Sequence, residues 1–327
     1  MSKPHLILWG GSWEPLNEAL TPENIDSHAK VSYVFLKEAL SAHFDVTGID
    51  EFDKIGALEL RKDTLGVLST FQAGFTQLRE KRPALYQKIA PLLCRKKFSI
   101  LDETTGRRTC EDKLFTVIPP DYALKNKLQN FLSPSRAYHM GWCASPAYCY
   151  PQEDQTFTVF VDHGHYAGDD YTDVVMQALR SLDADVRVFI QGNDGVMEWD
   201  LSQGWRPETY QRANKVPWAQ MMSYYRRAHL FCLTHKESAG LSSIEAAMSG
   251  ARLVIPHLNG QAFLHEGLLQ PPLDFKLVAC DVEALRTCFE EQIQRGVDKQ
   301  ANHKALKEHS SWDQAAQRIY DVLAGIK

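Results

Sequence analysis

Short apolar runs alternate with helical patterns along the chain. The first run, His5–Trp9, ends at Gly10-Gly11 and predicts a buried strand followed by a tight turn. A helical pattern begins near Lys30, and a second strand-like run spans 44–49. Strand, helix and strand in this order predict a βαβ unit and therefore a parallel sheet.

The alternation continues in two series that a Pro- and Tyr-rich stretch at 146–154 separates. The first series adds predicted strands at 65–71, 98–101 and 114–118 and a basic helix at 76–93. The second series has predicted strands at 156–161, 186–190, 229–233 and 252–255, with helices at 171–182, 218–227 and 242–248. Two consecutive α/β series predict two Rossmann-like domains that face a central cleft.

Composition places the chain among soluble globular proteins. Of its 327 residues, 44% are hydrophobic and 24% are charged, which is an ordinary globular mixture. No apolar run reaches the roughly 18–20 residues that span a bilayer, and the start lacks the pattern of a signal peptide. Seven scattered cysteines form no C-x-x-C pair, so we expect reduced thiols in a cytoplasmic protein, with peripheral membrane association left open.

Basic side chains concentrate in one segment although the net charge is −5. Residues 79–136 carry 13 basic and 6 acidic side chains. The densest positions are Arg95, Lys96, Lys97, Arg107 and Arg108. Such clustering favours a surface for an anionic acceptor, and the alternative is a solvated face whose charges disperse in three dimensions.

The stretch 233–250 carries the most specific pattern, a strand, a Gly-containing turn and a helix. Ser242 or Ser243 is a suitable N-cap, and the free N–H groups of a helix start suit a phosphate. Glu237 lies in the turn and Glu245 on the helix, with seven residues between them. Both carboxylates are predicted to accept hydrogen bonds from hydroxyl-rich groups; the alternative is that Glu245 is simply exposed near the helix start.

This stretch resembles glycosyltransferase family 4, the retaining GT-B enzymes. The resemblance rests on Glu237, Gly240-Leu241 and the run Glu-Ala-Ala-Met-Ser-Gly at 245–250. It extends to Gly192 in a turn after a strand and to Val216 before a helix. Similarity covers about 156–327 and is weak over 1–150.

The resemblance implies the GT-B fold: an acceptor-binding domain at 1–150, a nucleotide-sugar-binding domain at 151–310, and a terminal helix at 311–327 that crosses back to the first domain. It also implies donor-binding roles. Glu237 would hold sugar hydroxyls and Glu245 the ribose, while the N–H groups of Gly240 and Leu241 would meet the pyrophosphate. Gly10 and Gly11 resemble the glycine loop that approaches the donor phosphates and the acceptor, although an ordinary turn explains two glycines equally well.

The chain departs from the family where cations neutralise the leaving diphosphate. Alignment puts His165 at the arginine place and Asp170 at the lysine place. Lys236, or protonated His165, is the expected substitute. The His163-Gly164-His165 run alone is a weak metal pattern, so we expect no metal and no cofactor, with a UDP- or GDP-linked sugar as substrate.

The mechanism implied by the resemblance is front-side displacement, in which the donor phosphate takes the acceptor proton. Catalysis would then rest on positioning and charge stabilisation. Asp102 and His139 are the acceptor-side candidates in the first domain, and Glu237 is the candidate in the second. The long segment 12–29 is predicted to be an acceptor-binding loop.

Other functions compete with this interpretation. A nicotinamide dehydrogenase is disfavoured because no third glycine and no immediate helix follow Gly10-Gly11. A catalytically silent nucleotide-sugar-binding protein stays open because of Asp170. The acceptor also stays open: a glycan or lipid-linked glycan is expected, and DNA with hydroxymethylated bases is the alternative.

Overall fold

The computed structural model describes residues 2–12, 14–25, 28–58, 61–70, 74–89, 96–101, 113–126, 137–162, 171–192, 195–200, 217–237 and 240–325. The chain divides into two compact units, Met1–Trp142 with Trp312–Lys327, and Cys143–Ser311. The division therefore falls at Trp142, whereas the sequence pattern predicts a boundary at 150. The acceptor and donor roles of the two domains stay predictions.

The first unit contains a parallel sheet of six strands, in the order β2-β1-β3-β4-β5-β6. The strands are β1 (His5–Ser12), β2 (Asp45–Glu51), β3 (Thr64–Ser69), β4 (Lys96–Leu101), β5 (Lys113–Thr116) and β6 (Ala137–His139). The helices are α1 (His28–Leu40), α2 (Gly74–Lys81), α3 (Pro83–Ile89) and α4 (Pro120–Lys125), and a 3-10 helix spans Phe52–Ala57. Because β1 lies between β2 and β3, the strand order reverses beside β1.

Two predictions for the first unit are wrong. The turn at Gly10-Gly11 is absent from this position, because β1 continues through both glycines to Ser12. Gly10 has a φ of 152°, and a Cβ atom there would overlap Thr70 Oγ1, so a close approach requires the glycine. The single basic helix is instead α2 and α3, which separate at Arg82 because Pro83 has no N–H and disfavours a helical residue before it.

The second unit contains a seven-stranded sheet with a parallel centre, β13-β11-β10-β7-β8. Its strands are β7 (Phe157–Asp162), β8 (Val186–Gly192), β9 (Gly195–Asp200), β10 (Leu230–Leu233), β11 (Arg252–Leu258), β12 (Gln261–Ala262) and β13 (Phe275–Ala279). The helices are α5 (Thr172–Arg180), α6 (Trp218–Arg227), α7 (Leu241–Met248), α8 (Val282–Arg295) and α9 (Lys299–Lys307), with a 3-10 helix at Glu266–Leu268. Strands β9 and β12 pair antiparallel to β8 and β11.

An apolar stripe on α5 explains how one layer of this unit forms. Val175, Met176 and Leu179 follow the spacing of one helical face, and all three are fully buried. They pack with Val159 of β7 and Phe289 of α8 in one hydrophobic cluster. The helix thus covers one face of the sheet.

The C-terminal helix, α10 (Trp312–Leu323), belongs to the first unit. Trp312 stacks on Phe35 of α1 with ring centroids 6.4 Å apart. Tyr320 packs against Phe44, and Arg318 Nη1 donates to the Met140 carbonyl at 2.8 Å. The chain therefore returns to its first α/β unit after completing the second.

Candidate functional site

The strand order of the second unit creates one position suited to ligands. Strand β7 lies between β8 and β10. The next strand in the chain is therefore on one side of β7 and a later strand is on the other, so the strand order reverses beside β7. Ligands of open α/β sheets bind outside the carboxyl ends of strands at such a reversal. In the register of β7 and β10, Asp162 is opposite Leu233. Asp162 and the described residues that follow Leu233 therefore lie at the reversal.

Asp162 connects the end of β7 to the start of α7. Its carbonyl accepts a hydrogen bond from Thr234 Oγ1 at 2.5 Å, and its carboxylate accepts one from Ser242 Oγ at 3.1 Å. The side chain is buried. Sequence reasoning missed this residue, although a carboxylate that ends an apolar strand is a recognisable signal.

Gly240 begins α7 in a left-handed conformation, with φ 58° and ψ 55°. A Cβ atom there would lie 2.8 Å from Leu264 Cδ1, so both the backbone and the packing require glycine. The predicted cap at Ser242 or Ser243 is wrong, because Gly240 is the N-cap and makes no side-chain cap hydrogen bond. The first N–H groups of a helix lack the usual acceptor one turn earlier. Here the Ser243 N–H donates to the Gly240 carbonyl at 3.0 Å, and among the described residues no side chain caps the N–H groups before it.

Ser243 adds a polar group beside this helix start. Its side chain is fully buried, and Oγ has no hydrogen-bond partner among the described residues. The hydroxyl lies 3.3 Å from the place of a Cβ atom on Gly240. An anion at the start of α7 would therefore meet backbone N–H groups, the helix dipole and a hydroxyl that needs a partner.

Glu237 is paired with a buried histidine. His235 Nε2 lies 3.3 Å from Glu237 Oε2, and the Glu237 N–H donates to the Phe263 carbonyl at 2.6 Å. Burial lowers the pKa of His235, but its hydrogen bond to Glu237 and the charge of Asp162 outweigh burial and raise that pKa to about 8. The His235 side chain is 2% exposed, whereas the Glu237 side chain is 19% exposed. Glu237 can thus reach a ligand while His235 stays beneath it.

Glu245 is buried, so the alternative of an exposed helix-surface glutamate is wrong. The residue is 5% exposed, and its Oε1 accepts a hydrogen bond from Trp218 Nε1 at 2.6 Å. Burial raises the pKa of Glu245 to about 8, against the opposing effect of that hydrogen bond. Trp218 is itself held by the edge of Tyr148, with ring centroids 5.1 Å apart. Sequence reasoning found Glu245 and missed Trp218.

Other predicted donor-site residues lie near strand ends of one unit or the other. Lys236 is exposed beside Glu237, and Leu241 is buried at the start of α7. Gly192 ends β8 and pairs with Gly195 across a hairpin. Gly10 and Gly11 lie in β1 of the first unit.

Of the predicted acceptor-side residues, the structure describes His139, Lys96 and Lys97, which lie at different ends of their strands. His139 ends β6, and its Nε2 lies 3.0 Å from the Val117 carbonyl. Lys96 and Lys97 begin β4 and therefore lie at the amino end of the parallel sheet, away from the carboxyl ends where ligands bind. Predictions for Arg95, Asp102, Arg107, Arg108, His165, Asp170 and Val216 fall outside the described residues.

Solved structures of similar shape come from glycosyltransferases and related proteins. Sucrose-phosphate synthase from Thermosynechococcus elongatus matches with a TM-score of 0.65 over 99% of each chain, at 10% sequence identity. A glycosyltransferase from Rickettsia africae matches with a TM-score of 0.63 over all of both chains, at 10% identity. The Anabaena protein HepE, solved with UDP and glucose, matches with a TM-score of 0.58 at 10% identity over 98% of this chain and 99% of that one.

These similarities show the fold: the chain has the GT-B fold of two Rossmann-like units, as predicted. Identities near 10% do not carry the function across. A putative UDP-N-acetylglucosamine 2-epimerase from Listeria monocytogenes also matches, with a TM-score of 0.53 over 99% of this chain and 97% of that one, at 12% identity. No family model and no curated protein matches the sequence. Within the described part of the chain, no helix is long and apolar enough to cross a bilayer.

Proposed function

We propose that this protein is a glycosyltransferase that transfers a sugar from a nucleotide-sugar donor to an acceptor hydroxyl. The observation that carries the proposal is the start of α7 at the strand-order reversal. Uncapped N–H groups, the buried Ser243 hydroxyl and two glutamates occur there within one turn and helix. The fold shared with a glycosyltransferase, and with a protein solved in complex with UDP and glucose, supports the same conclusion.

In this proposal, different residues of the second unit bind different parts of the donor. The N–H groups at Gly240 and Leu241 and the hydroxyl of Ser243 hold the diphosphate. Glu237, which is partly exposed, accepts hydrogen bonds from hydroxyls of the sugar. Glu245 binds the nucleotide ribose through the oxygen that Trp218 does not occupy.

The proposed reaction retains configuration at the anomeric carbon. The bond from that carbon to the donor phosphate oxygen breaks while the acceptor oxygen bonds to the same face. The acceptor proton passes to the departing phosphate oxygen, so no protein base is needed for the transfer. The protein contributes by orienting the donor and by stabilising charge on the leaving diphosphate.

We propose UDP or GDP as the nucleotide and a glycan or lipid-linked glycan as the acceptor. DNA is not favoured by the described residues, because Lys96 and Lys97 start at the amino end of their strand. No metal is assigned a role in the proposed step, which proceeds through the groups described above.

A donor screen by thermal shift tests the proposal. A UDP- or GDP-sugar at 100 times its Kd should stabilise the wild type by about 2.7 kcal/mol. Glu237→Gln and Glu245→Gln should lose most of this shift, whereas Glu266→Gln, an exposed glutamate outside the site, should keep it. Equal stabilisation of all four proteins would overturn the site assignment. The anomeric configuration of the product, read by NMR, tests retention, and inversion would refute the front-side step.

A further inference from the structure

The proposed diphosphate site has an electrostatic difficulty. Asp162 is hydrogen-bonded to Ser242 in the first turn of α7, and Glu237 lies three residues before the N-cap. Both side chains are carboxylates, and the donor diphosphate, which carries more negative charge than either, is proposed to bind beside them. Like charges in a buried setting oppose binding unless a cation offsets them.

His235 lies between these two carboxylate residues. Its Nε2 is 3.3 Å from Glu237 Oε2, and the negative charge of Asp162 also raises its pKa. The His235 side chain is 2% exposed and lies two residues after the end of β10, so the surrounding packing limits its movement. A buried ring in contact with Glu237 restricts the positions that this carboxylate can take.

We infer that His235 is a positioning residue of the donor site, where its buried imidazolium orients Glu237 and offsets the carboxylates beside the bound diphosphate. This inference rests on the proposed function. His235 does not touch the donor in this arrangement, because its side chain is buried and its Nε2 faces Glu237. Its contribution reaches the ligand through the carboxylate and through its charge.

The pH dependence of nucleotide binding separates this role from a purely structural one. His235 loses its proton near pH 8, so donor affinity should fall as the pH rises through that value. Among the described residues, Asp162 and His265 are the further titratable groups that interact with His235 or Glu237. Burial lowers the pKa of His265, so that ring is already neutral at pH 7. Glu245 also titrates near pH 8 and needs its own control.

The experiment measures the Kd of UDP and of GDP by calorimetry at pH 7 and pH 9, where the terminal phosphate is already ionised. Complete deprotonation of His235 should weaken binding about tenfold, and because the bound imidazole is still partly protonated at pH 9, wild-type affinity for the preferred nucleotide should fall about fivefold between these values. His235→Gln keeps a neutral hydrogen-bond donor, so it should bind about tenfold more weakly at pH 7 and show little further change at pH 9. Glu245→Gln should bind more weakly at both pH values, as proposed above, but should keep the same relative fall between them, which assigns the fall to His235.

A second measurement uses the wild type alone and does not depend on variants that fold. Coupling is reciprocal, so a tenfold loss of affinity on deprotonation requires that bound nucleotide raise the pKa of His235 by about one unit. Imidazole NMR with and without the nucleotide reads this shift. An unchanged His235 titration, or a His235→Gln protein that binds like the wild type at both pH values, would overturn the inference and leave the proposed function standing. A wild type that binds neither nucleotide would overturn the proposed function, and the inference with it.

Discussion

The buried carboxyl of Glu245 should make the second unit lose stability as the pH rises. Burial raises its pKa from 4.5 to about 8. Below pH 4.5 the group is protonated in both the folded and the unfolded chain, and it imposes no penalty. Between pH 4.5 and pH 8 the folded protein keeps a proton that the unfolded chain has released, so the free energy of unfolding falls by about 1.4 kcal/mol per pH unit.

Glu245→Gln removes this penalty and keeps an oxygen that can accept the Trp218 hydrogen bond. Its stability relative to the wild type should therefore increase by about 2.7 kcal/mol between pH 5 and pH 7. For a unit of this size, that corresponds to a difference of roughly 5 to 10 °C in Tm. Denaturation followed by circular dichroism at pH 5, 6 and 7 measures it, with Glu291→Gln on the exposed side of α8 as the matched control. If Glu245→Gln and the wild type show the same pH dependence, Glu245 is not buried as described.

Three further predictions concern single contacts. Trp218→Phe removes the donor to Glu245, so it should destabilise the unit by about 1–2 kcal/mol in urea denaturation and move the Glu245 titration to higher pH. Gly10→Ala places a Cβ atom against Thr70, so it should cost about 2 kcal/mol or more, and adding Thr70→Ala should recover part of the loss in the same assay. Burial lowers the pKa of Lys299 from 10.5 to about 8. Between these values the unfolded chain holds a proton that the folded protein has released, so the wild type should gain stability as the pH rises from 8 toward 10.5. Lys299→Met should abolish that gain in Tm measurements, and a retained gain would contradict the assignment.

The sequence predicted the elements that local patterns specify. Helix α6 spans 218–227 as expected, and α7 begins one residue earlier than expected. The start of α7 shows the limit of local reasoning. Serines at 242 and 243 have the cap preference, but the chain reaches the helix in a left-handed conformation that only Gly240 adopts easily. The backbone conformation at Gly240, and not the cap preference of serine, therefore determines which residue is the N-cap of α7.

Contacts between residues far apart in the chain could not be predicted from the sequence. Asp162 meets Ser242 across 80 residues, and Trp218 meets Glu245 across 27. Neither pair has a spacing that predicts contact, because sheet order and helix packing bring the partners together. Strand β9 is a different case. The residues at 195–200 and the pair Gly192 and Gly195 are typical of a hairpin, so this strand is predictable from the sequence.

Each unit has a strand-order reversal, but the side chains at the two reversals differ in charge. In the first unit, the ends of β1 and β3 carry the neutral residues Gly10, Ser12, Ser69 and Thr70, and the carboxylate that follows β1, Glu14, is exposed. In the second unit, the described residues at the same place include Asp162, His235 and Glu237, with Glu245 buried on the adjoining helix. Burying ionisable groups costs folding free energy and seldom improves stability. Their concentration at one reversal of two therefore favours a ligand-binding role for the second unit, where charge and hydrogen bonding are needed most.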